Sequence, residues 1–456
     1  MVRSPSAVSG PMAPSMHARE RALVPAGMTA ILPRTARRVR RLEETLVTAL
    51  SRWGYQEIIP PTFEYLDVLS AGLEPELVEQ CYKFADRTTG RILLLRPDVT
   101  AQIARIVAMG MVGTGVPLRL CYRTTVFRYE PEHAGREREI FQIGAELIGV
   151  DDVMADAEIV ALMGDCLRQL GFTSFKISLG HVLFFKSLLA RSGLSPGARK
   201  RAEHAAARKD LPHLEEILAQ ERVPRRTARA VLEVPGLYGQ EEVLERGRAL
   251  AGRDALLRET LDRLARVYRL LAETGLRDHL LLDLGELRGF DYYDGVVFDV
   301  FAEGLGCELG GGGRYNHLIG RFGRELPSTG FAFDVDRLFR TLDGAENGLP
   351  SSHADVLLVA PPQRLPQLFR VAGDLRQAGW RVVQRQQPVR GDGMRRAIEE
   401  GRREGVSAVV MVGVPRVSDD EVLLLTGLAS RGRGVAKQPG RRRVKIKELP
   451  ALRLSD

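Results

Sequence analysis

The sequence predicts an α/β (α+β) chain in which strands and flanking helices are interrupted by a helical insertion and followed by a second α/β domain. Three observations carry this. Amphipathic helical stripes and short apolar strands alternate up to about residue 190 and resume after about 277. Between them, over about 190–277, Arg, Leu, Ala and Glu dominate at helical spacing with few strand signals, which reads as an insertion. Beyond a composition break at 343–353 (DGAENGLPSSH), ADVLLVAPP, WRVVQRQ and SAVVMVG alternate with helical stretches, the pattern of a compact α/β domain over 354–430.

Each element has a local reason. From Thr35 to Trp53, apolar residues recur at Val39, Leu42, Leu46, Ala49, Leu50 and Trp53, one helical stripe that Gly54 ends. QEIIPPTFEY reads as a strand whose Pro60 and Pro61 mark an edge or interface, because proline has no N–H to give a ladder. RILLLRPDVTAQIARIVAMG reads as a buried strand, a turn at Arg96–Pro97–Asp98 and a helix. Leu118 to Arg128 and Glu139 to Ile148 read as two strands joined by a polar loop, most simply antiparallel. Asp151 to Leu170 reads as a helix opened by acids that suit its dipole. After the insertion, HLLLDLGELRGFDYYDGVVFDVFA brings strands back. The run Gly310 to Gly313 reads as a tight turn between strands, and GFAFDVDRLFRTL as a strand leading into a helix.

Composition narrows the class. A chain of 456 residues with ordinary globular composition can bury two or three real cores. No apolar run approaches a membrane span. Residues 1–27, rich in Ser, Pro, Ala and Met, lack the apolar block of a signal peptide and read as a disordered tail or, equally, as an over-extended start, Met28 standing where the folded pattern begins. Cys81, Cys121, Cys166 and Cys307 are isolated, so they offer no zinc or redox spacing; no metal is expected, and reduced thiols in a cytosolic protein are. The net charge of +8 equals the eight basic residues between Arg431 and Lys447, which leaves the rest of the chain formally neutral. Residues 431–456 therefore read as a solvated basic tail, and nucleic acid is not an expected partner.

Two stretches carry the chemistry. FRYEPEHAGREREIFQIGAELIG, Phe127 to Gly149, and RGFDYYDG, Arg288 to Gly295, set charged and polar groups on apparent strands, where a small zwitterion can be held. Taken singly, each residue has a plainer role. Asp98 after Pro97 would cap the following helix. Glu146, alternating with Ala145 and Leu147, would face solvent. Tyr292 and Tyr293 would be core or interface aromatics, and Arg288 an ion-pair partner. Their joint occurrence in one motif order is what points to a pocket.

Together with their neighbours these stretches resemble the class II aminoacyl-tRNA synthetases, and among them histidyl-tRNA synthetase. WGYQEIIPPTFE resembles the first class II motif, with Pro61 at its interface proline, and FRYEP…GREREIFQ…E resembles the second. RGFDYY and GGGGRYN resemble two signatures particular to histidyl-tRNA synthetase, and residues 354 to about 428 resemble a divergent anticodon-binding domain. Several motifs in the right order make a specific signal, covering most of the chain. The resemblance implies a class II synthetase-like domain over 28–342, a mostly antiparallel sheet with flanking helices, and a homodimer through the Pro61 region. It implies site residues as well. Asp98 and Thr100, helped by Gln142, match positions that hold the ammonium of histidine. Glu146 and Tyr292 or Tyr293 match those that face the imidazole, and Arg288 the arginine near the carboxylate. Arg128 and Glu130 match the second motif's nucleotide contacts and Arg337 the third motif's, with loop arginines Arg136 and Arg138 also present.

Two families share this pattern: histidyl-tRNA synthetase, and its paralogue the regulatory subunit of ATP phosphoribosyltransferase. GFAFDVDRL, Gly330 to Leu338, separates them. The synthetase has a glycine-spaced run ending in Glu-Arg; here Asp334 stands in place of a glycine and Asp336 in place of the glutamate. A carboxylate there adds bulk and negative charge beside a polyanion. FDVDRL resembles the regulatory family, as do SLGHVLFFKSLL (Ser178 to Leu189) and AARKDLPHLEEIL (Ala206 to Leu218); His181 within the former reads as a surface or cap residue without chemistry. The favoured resemblance implies a non-catalytic chain with no cofactor, working with a short-form catalytic subunit in the first step of histidine biosynthesis. It implies L-histidine as effector, and a homodimer within a hetero-oligomer. The alternative is ATP-dependent charging of tRNA with histidine.

Overall fold

A computed structural model of the chain describes residues 25, 27–113, 115–129, 138–286, 292–304, 306–343, 354–428 and 439–451. The chain divides into two compact units between Glu346 and Asn347. That division, most of the 343–353 linker and nearly all of the 1–27 tail lie outside the described residues.

The first unit opens with helix α1 (Pro33–Arg52), whose stripe Val39, Leu42, Leu46, Ala49 and Leu50 is buried. Its strands are, in chain order, β1 (Gln56–Glu57), β2 (Phe63–Tyr65), β3 (Lys83–Ala85), β4 (Ile92–Leu95), β5 (Leu118–Phe127), β6 (Glu139–Ile148), β7 (Phe175–His181), β8 (Tyr238–Gly239), β9 (Leu280–Asp283), β10 (Val296–Ala302), β11 (Glu308–Arg314) and β12 (Ser328–Asp334). Among the described residues nine of them form one sheet in the order β1-β5-β6-β12-β11-β10-β7-β9-β8, and β2-β4-β3 form a small second sheet. Only β1–β5 and β7–β9 pair in parallel, so the large sheet is mostly antiparallel. This is the class II synthetase-like fold. Helices α2 (Val99–Ala108), α3 (Val153–Gln169), α4 (Ala255–Leu271) and α5 (Val335–Asp343) flank the strands, and shorter helices from Pro196 to Ala251 precede α4 in the insertion. Among the described residues no helix is long and apolar enough to cross a membrane.

Four readings change. QEIIPPTFEY is not one strand: it splits into β1 and β2 around Pro60 and Pro61. Proline cannot donate to a ladder, and the carbonyls here take side-chain donors instead, Arg96 Nη1 to Pro60 O at 3.0 Å and Gln102 Nε2 to Pro61 O at 2.8 Å. Gly310 to Gly313 is not a turn but the body of β11, between β10 and β12. Backbones approach so closely there that a Cβ on Gly312 would stand 1.9 Å from the Gly330 carbonyl oxygen. His181 is not a surface residue: it is buried at the start of a helix and makes no side-chain cap bond. Burial, then Arg263 and Arg314, push its pKa down to about 3, so the ring is neutral.

The fourth change concerns the second unit. Strands β13 (Val356–Ala360), β14 (Val382–Gln386), β15 (Ala408–Met411), β16 (Glu421–Thr426) and β17 (Gly440–Lys445) run in the order β14-β13-β15-β16-β17. Strand β13 is apolar throughout because both faces are covered: Leu358 packs with Leu368 and Val371 of one helix, Leu357 with Ala397 of another. The basic stretch read as a solvated tail supplies the edge strand β17, anchored by buried Val444 while Arg441, Arg442 and Arg443 stay exposed. One apolar residue among so many cations gave no period to read.

Candidate functional site

Side chains alternate across a strand. On β6, Ile143, Ala145 and Leu147 join the core on one face of the sheet, where α1 and α3 pack. Gln142 and Glu146 therefore point to the other face, into a cavity of about 130 Å³. A second apolar layer covers that face, built from α2, Tyr122, Tyr292, Tyr293 and Tyr315. Glu146 is thus 1% exposed rather than on a solvent face.

The floor of the cavity is a network of carboxyls and hydroxyls. Asp98 caps α2 with one oxygen, accepting from the Thr100 amide at 3.1 Å. Its other oxygen accepts from the Tyr292 hydroxyl at 3.3 Å, so capping and lining the cavity are both its work. Thr100 Oγ1 donates to Glu146 Oε1 at 2.8 Å, and the Tyr315 hydroxyl donates to Glu146 Oε2. Gly330, opposite Glu146 on β12, leaves room for this carboxyl: a Cβ there would stand 1.7 Å from Oε2. Tyr292 packs at 4.8 Å from Tyr293 and 5.9 Å from Tyr315, ring centre to ring centre.

Burial dominates the electrostatics. It pushes the Glu146 carboxyl up to about 8, against the Tyr315 and Thr100 donors, with Asp98 adding to the rise. It also pushes Asp98 up, opposed first by the nearby Arg128 guanidinium. The Tyr122, Tyr292 and Tyr315 hydroxyls are held well above their ordinary range, so they stay protonated and able to donate.

Beside Asp98, Arg128 Nε donates to the Pro97 carbonyl at 2.7 Å. Arg337 Nη1 donates to Glu308 Oε1 at 2.7 Å and to the Glu308 carbonyl at 2.8 Å, while Nε pairs with Asp334 Oδ2 at 3.0 Å. Asp334 also caps α5, accepting from the amides of Asp336 and Arg337 at 3.0 and 3.1 Å. Among the described lining residues, four carboxyl groups (Asp98, Glu146, Glu308, Asp334) stand against two guanidiniums (Arg128, Arg337).

Asp98, Thr100, Gln142, Glu146, Tyr292, Tyr293, Arg128 and Arg337 all line this one cavity. Glu130, Arg136 and Arg288 lie outside the described residues. The Asp336 side chain leaves this cavity: positions two apart at a helix start point different ways, and Asp336 lines a separate cavity with Val39, Phe141 and Phe339. Arg138 turns toward the Tyr129 ring instead, 5.0 Å from its centre. Sequence reasoning missed Tyr122, Tyr315 and Glu308. Tyr315 was visible in GGGGRYN but had no assigned partner; Glu308 has no local signal at all.

Comparison with known proteins bears on the family and the fold. A family model described as histidyl-tRNA synthetase matches residues 27–338. A protein of Geobacter metallireducens named ATP phosphoribosyltransferase regulatory subunit is 36% identical over 414 residues, covering 91% of this chain and 94% of its own. One of the same name from Moorella thermoacetica is 42% identical over 360 residues, covering 79% of this chain and 91% of its own. A solved structure from Bacillus halodurans, described as an ATP phosphoribosyltransferase regulatory subunit/histidyl-tRNA synthetase, is similar at a TM-score of 0.71 and 28% identity, over 81% of this chain and 95% of that one. With the fold, the motif order and two relatives matched over more than nine-tenths of their own length in agreement, the chain belongs to the histidyl-tRNA synthetase-like family, in its branch of ATP phosphoribosyltransferase regulatory subunits.

Proposed function

We propose that this chain is non-catalytic, works with a short-form catalytic chain of ATP phosphoribosyltransferase, and binds L-histidine as a feedback effector. The complex joins ATP to phosphoribosyl pyrophosphate, giving phosphoribosyl-ATP and pyrophosphate, and the chemistry belongs to the catalytic chain. One observation carries the reading: the buried floor of the cavity, where Glu146 is held by Thr100 and Tyr315 and Asp98 by Tyr292. Such a shielded set of acceptors and hydroxyls suits the ammonium and ring of a small zwitterion. In this reading Asp98, Thr100 and Gln142 take the ammonium. Glu146 with Tyr292 or Tyr293 takes the imidazole, and Arg288 the carboxylate. The Glu308 and Asp334 carboxylates beside Arg337 disfavour a triphosphate. No cofactor is needed. Histidine regulates by binding one quaternary state of the hetero-oligomer better than another, and a coupling of about 1–3 kcal/mol suffices.

The test uses the reconstituted complex. Glu146→Ala should raise the histidine concentration for half-inhibition of phosphoribosyl-ATP formation by about tenfold, the scale of a buried polar group left without its partner. Unchanged inhibition removes the pocket assignment. The second reading, a histidyl-tRNA synthetase, draws on Arg128 and Arg337 in the same cavity. Robust histidine-dependent exchange of pyrophosphate into ATP by the purified chain would favour it over the regulatory one.

A further inference from the structure

We infer that Glu308, together with Asp334, closes this cavity to nucleoside triphosphates by engaging Arg337 with the chain's own carboxylates. The inference rests on the regulatory reading above and names the residue that sets its ligand specificity. Arg337 stands at the end of the cavity away from Glu146 and reaches both acids: Glu308 Oε1 at 2.7 Å and Asp334 Oδ2 at 3.0 Å, with the Glu308 carbonyl at 2.8 Å as a third acceptor. A guanidinium presents its donors in a fixed fork that fits carboxylate and phosphate alike. The two carboxylates therefore offer Arg337 the oxygen acceptors that a phosphate would.

The clamp is built into the sheet. Glu308 opens β11 and Asp334 ends β12, and the two strands are antiparallel neighbours with Gly310 opposite Phe333. Register thus brings together two acids that lie far apart in sequence. Asp334 is fixed a second time because its other oxygen caps α5. A triphosphate entering here would have to displace both acids from Arg337 and then lie beside them. Like charges at that distance repel, most strongly at Asp334, whose side chain is 14% exposed, and less at Glu308, at 38%. A zwitterion seated on Asp98 and Glu146 meets neither obstacle. Specificity comes as much from this repulsive element as from attraction at the floor.

The experiment compares the full chain with E308Q/D334N, which removes both charges and leaves an oxygen to cap α5. Calorimetric titration with magnesium-ATP, and separately with histidine, is the readout. The expected result is no measurable ATP binding by the unmodified chain, and in the double variant a gain in ATP affinity of about tenfold or more, the scale of one close charge pair, with histidine binding retained. A double variant that binds histidine but not ATP overturns the clamp and leaves the regulatory reading standing. ATP binding by the unmodified chain overturns the clamp, and pyrophosphate exchange alongside it overturns the regulatory reading too. Should the double variant fail to fold, E308Q alone decides: it lies outside the helix cap, and a gain of ATP affinity supports the clamp while none overturns it.

Discussion

Glu146 shows how much one residue's surroundings decide. In water its carboxyl would be ionised near neutrality; burial raises it from 4.5 to about 8. The native state then keeps a proton that the unfolded chain releases. That contribution to stability is fully present below about 4.5 and is lost as pH rises through about 8. The slope from this one group is about 1.4 kcal/mol per pH unit inside the window. Glu146→Gln keeps the shape and removes the titration. Wild-type stability relative to this variant should therefore fall between pH 5 and pH 8.5, read from urea unfolding of both proteins. Parallel curves across the window would show that Glu146 titrates normally. Asp98, Glu146, Tyr292 and Tyr293 were legible as residues of one cavity because they sit in motifs whose order is specific, whereas Tyr122 and Tyr315 were not singled out. Gly330 was legible only as part of such a motif; its reason, space for a carboxyl on the next strand, needs the register between β6 and β12. Glu308 was not legible at all, since nothing near it in sequence points to Arg337.

Strand β11 joins the cavity to the helical insertion. Its neighbours Arg314 and Tyr315 go to opposite sides. Tyr315 reaches Glu146, while Arg314, 1% exposed, bonds Asp156 of α3 at 2.6 Å. Arg263 of α4 bonds the same carboxylate at 2.9 Å, so one buried acid ties α3, α4 and β11 together. Removing one partner of a buried pair leaves the others desolvated and uncompensated, at a cost of about 3–5 kcal/mol. Asp156→Asn should lower the thermal unfolding midpoint of the chain by several degrees, measured by calorimetry. An unchanged midpoint would mean that the arginines find other acceptors. The length and period of β5 and β6 made them readable, and both were expected within a residue of where they lie. The short elements were not. Proline broke QEIIPPTFEY, and glycine, usually a turn residue, was needed in β11 because three strands crowd together there. In β17 the single core residue Val444 was hidden among cations.

At the scale of the whole molecule, the small sheet of the first unit has two unlike faces. On one, Leu94 packs with Leu69, Leu73 and Leu77, and Glu64 is held by Arg105 at 2.7 Å and Gln102 at 2.8 Å. On the other, Phe63 and Phe84 meet edge to face at 5.1 Å between ring centres and remain 50% and 39% exposed. Opposite them on β4 stand Leu95 and Leu93, on the same face. Ile59, just upstream, is 83% exposed. Fully burying a side chain of this kind is worth about 1.5–3 kcal/mol, so a contiguous apolar face left in water is the mark of an interface. We expect a second copy of the chain to cover it, because a two-fold pairing asks only that one apolar patch meet itself. The first-motif resemblance, with Pro61 beside this patch, supports the same occupant. Phe63→Asp with Phe84→Asp places two charges on each side of that contact, where like charges repel. Light scattering should then show the unmodified chain as a dimer and the variant as a monomer at the same concentration. Circular dichroism checks that the variant is folded. A monomeric unmodified chain, or a variant that still pairs, would move the interface elsewhere.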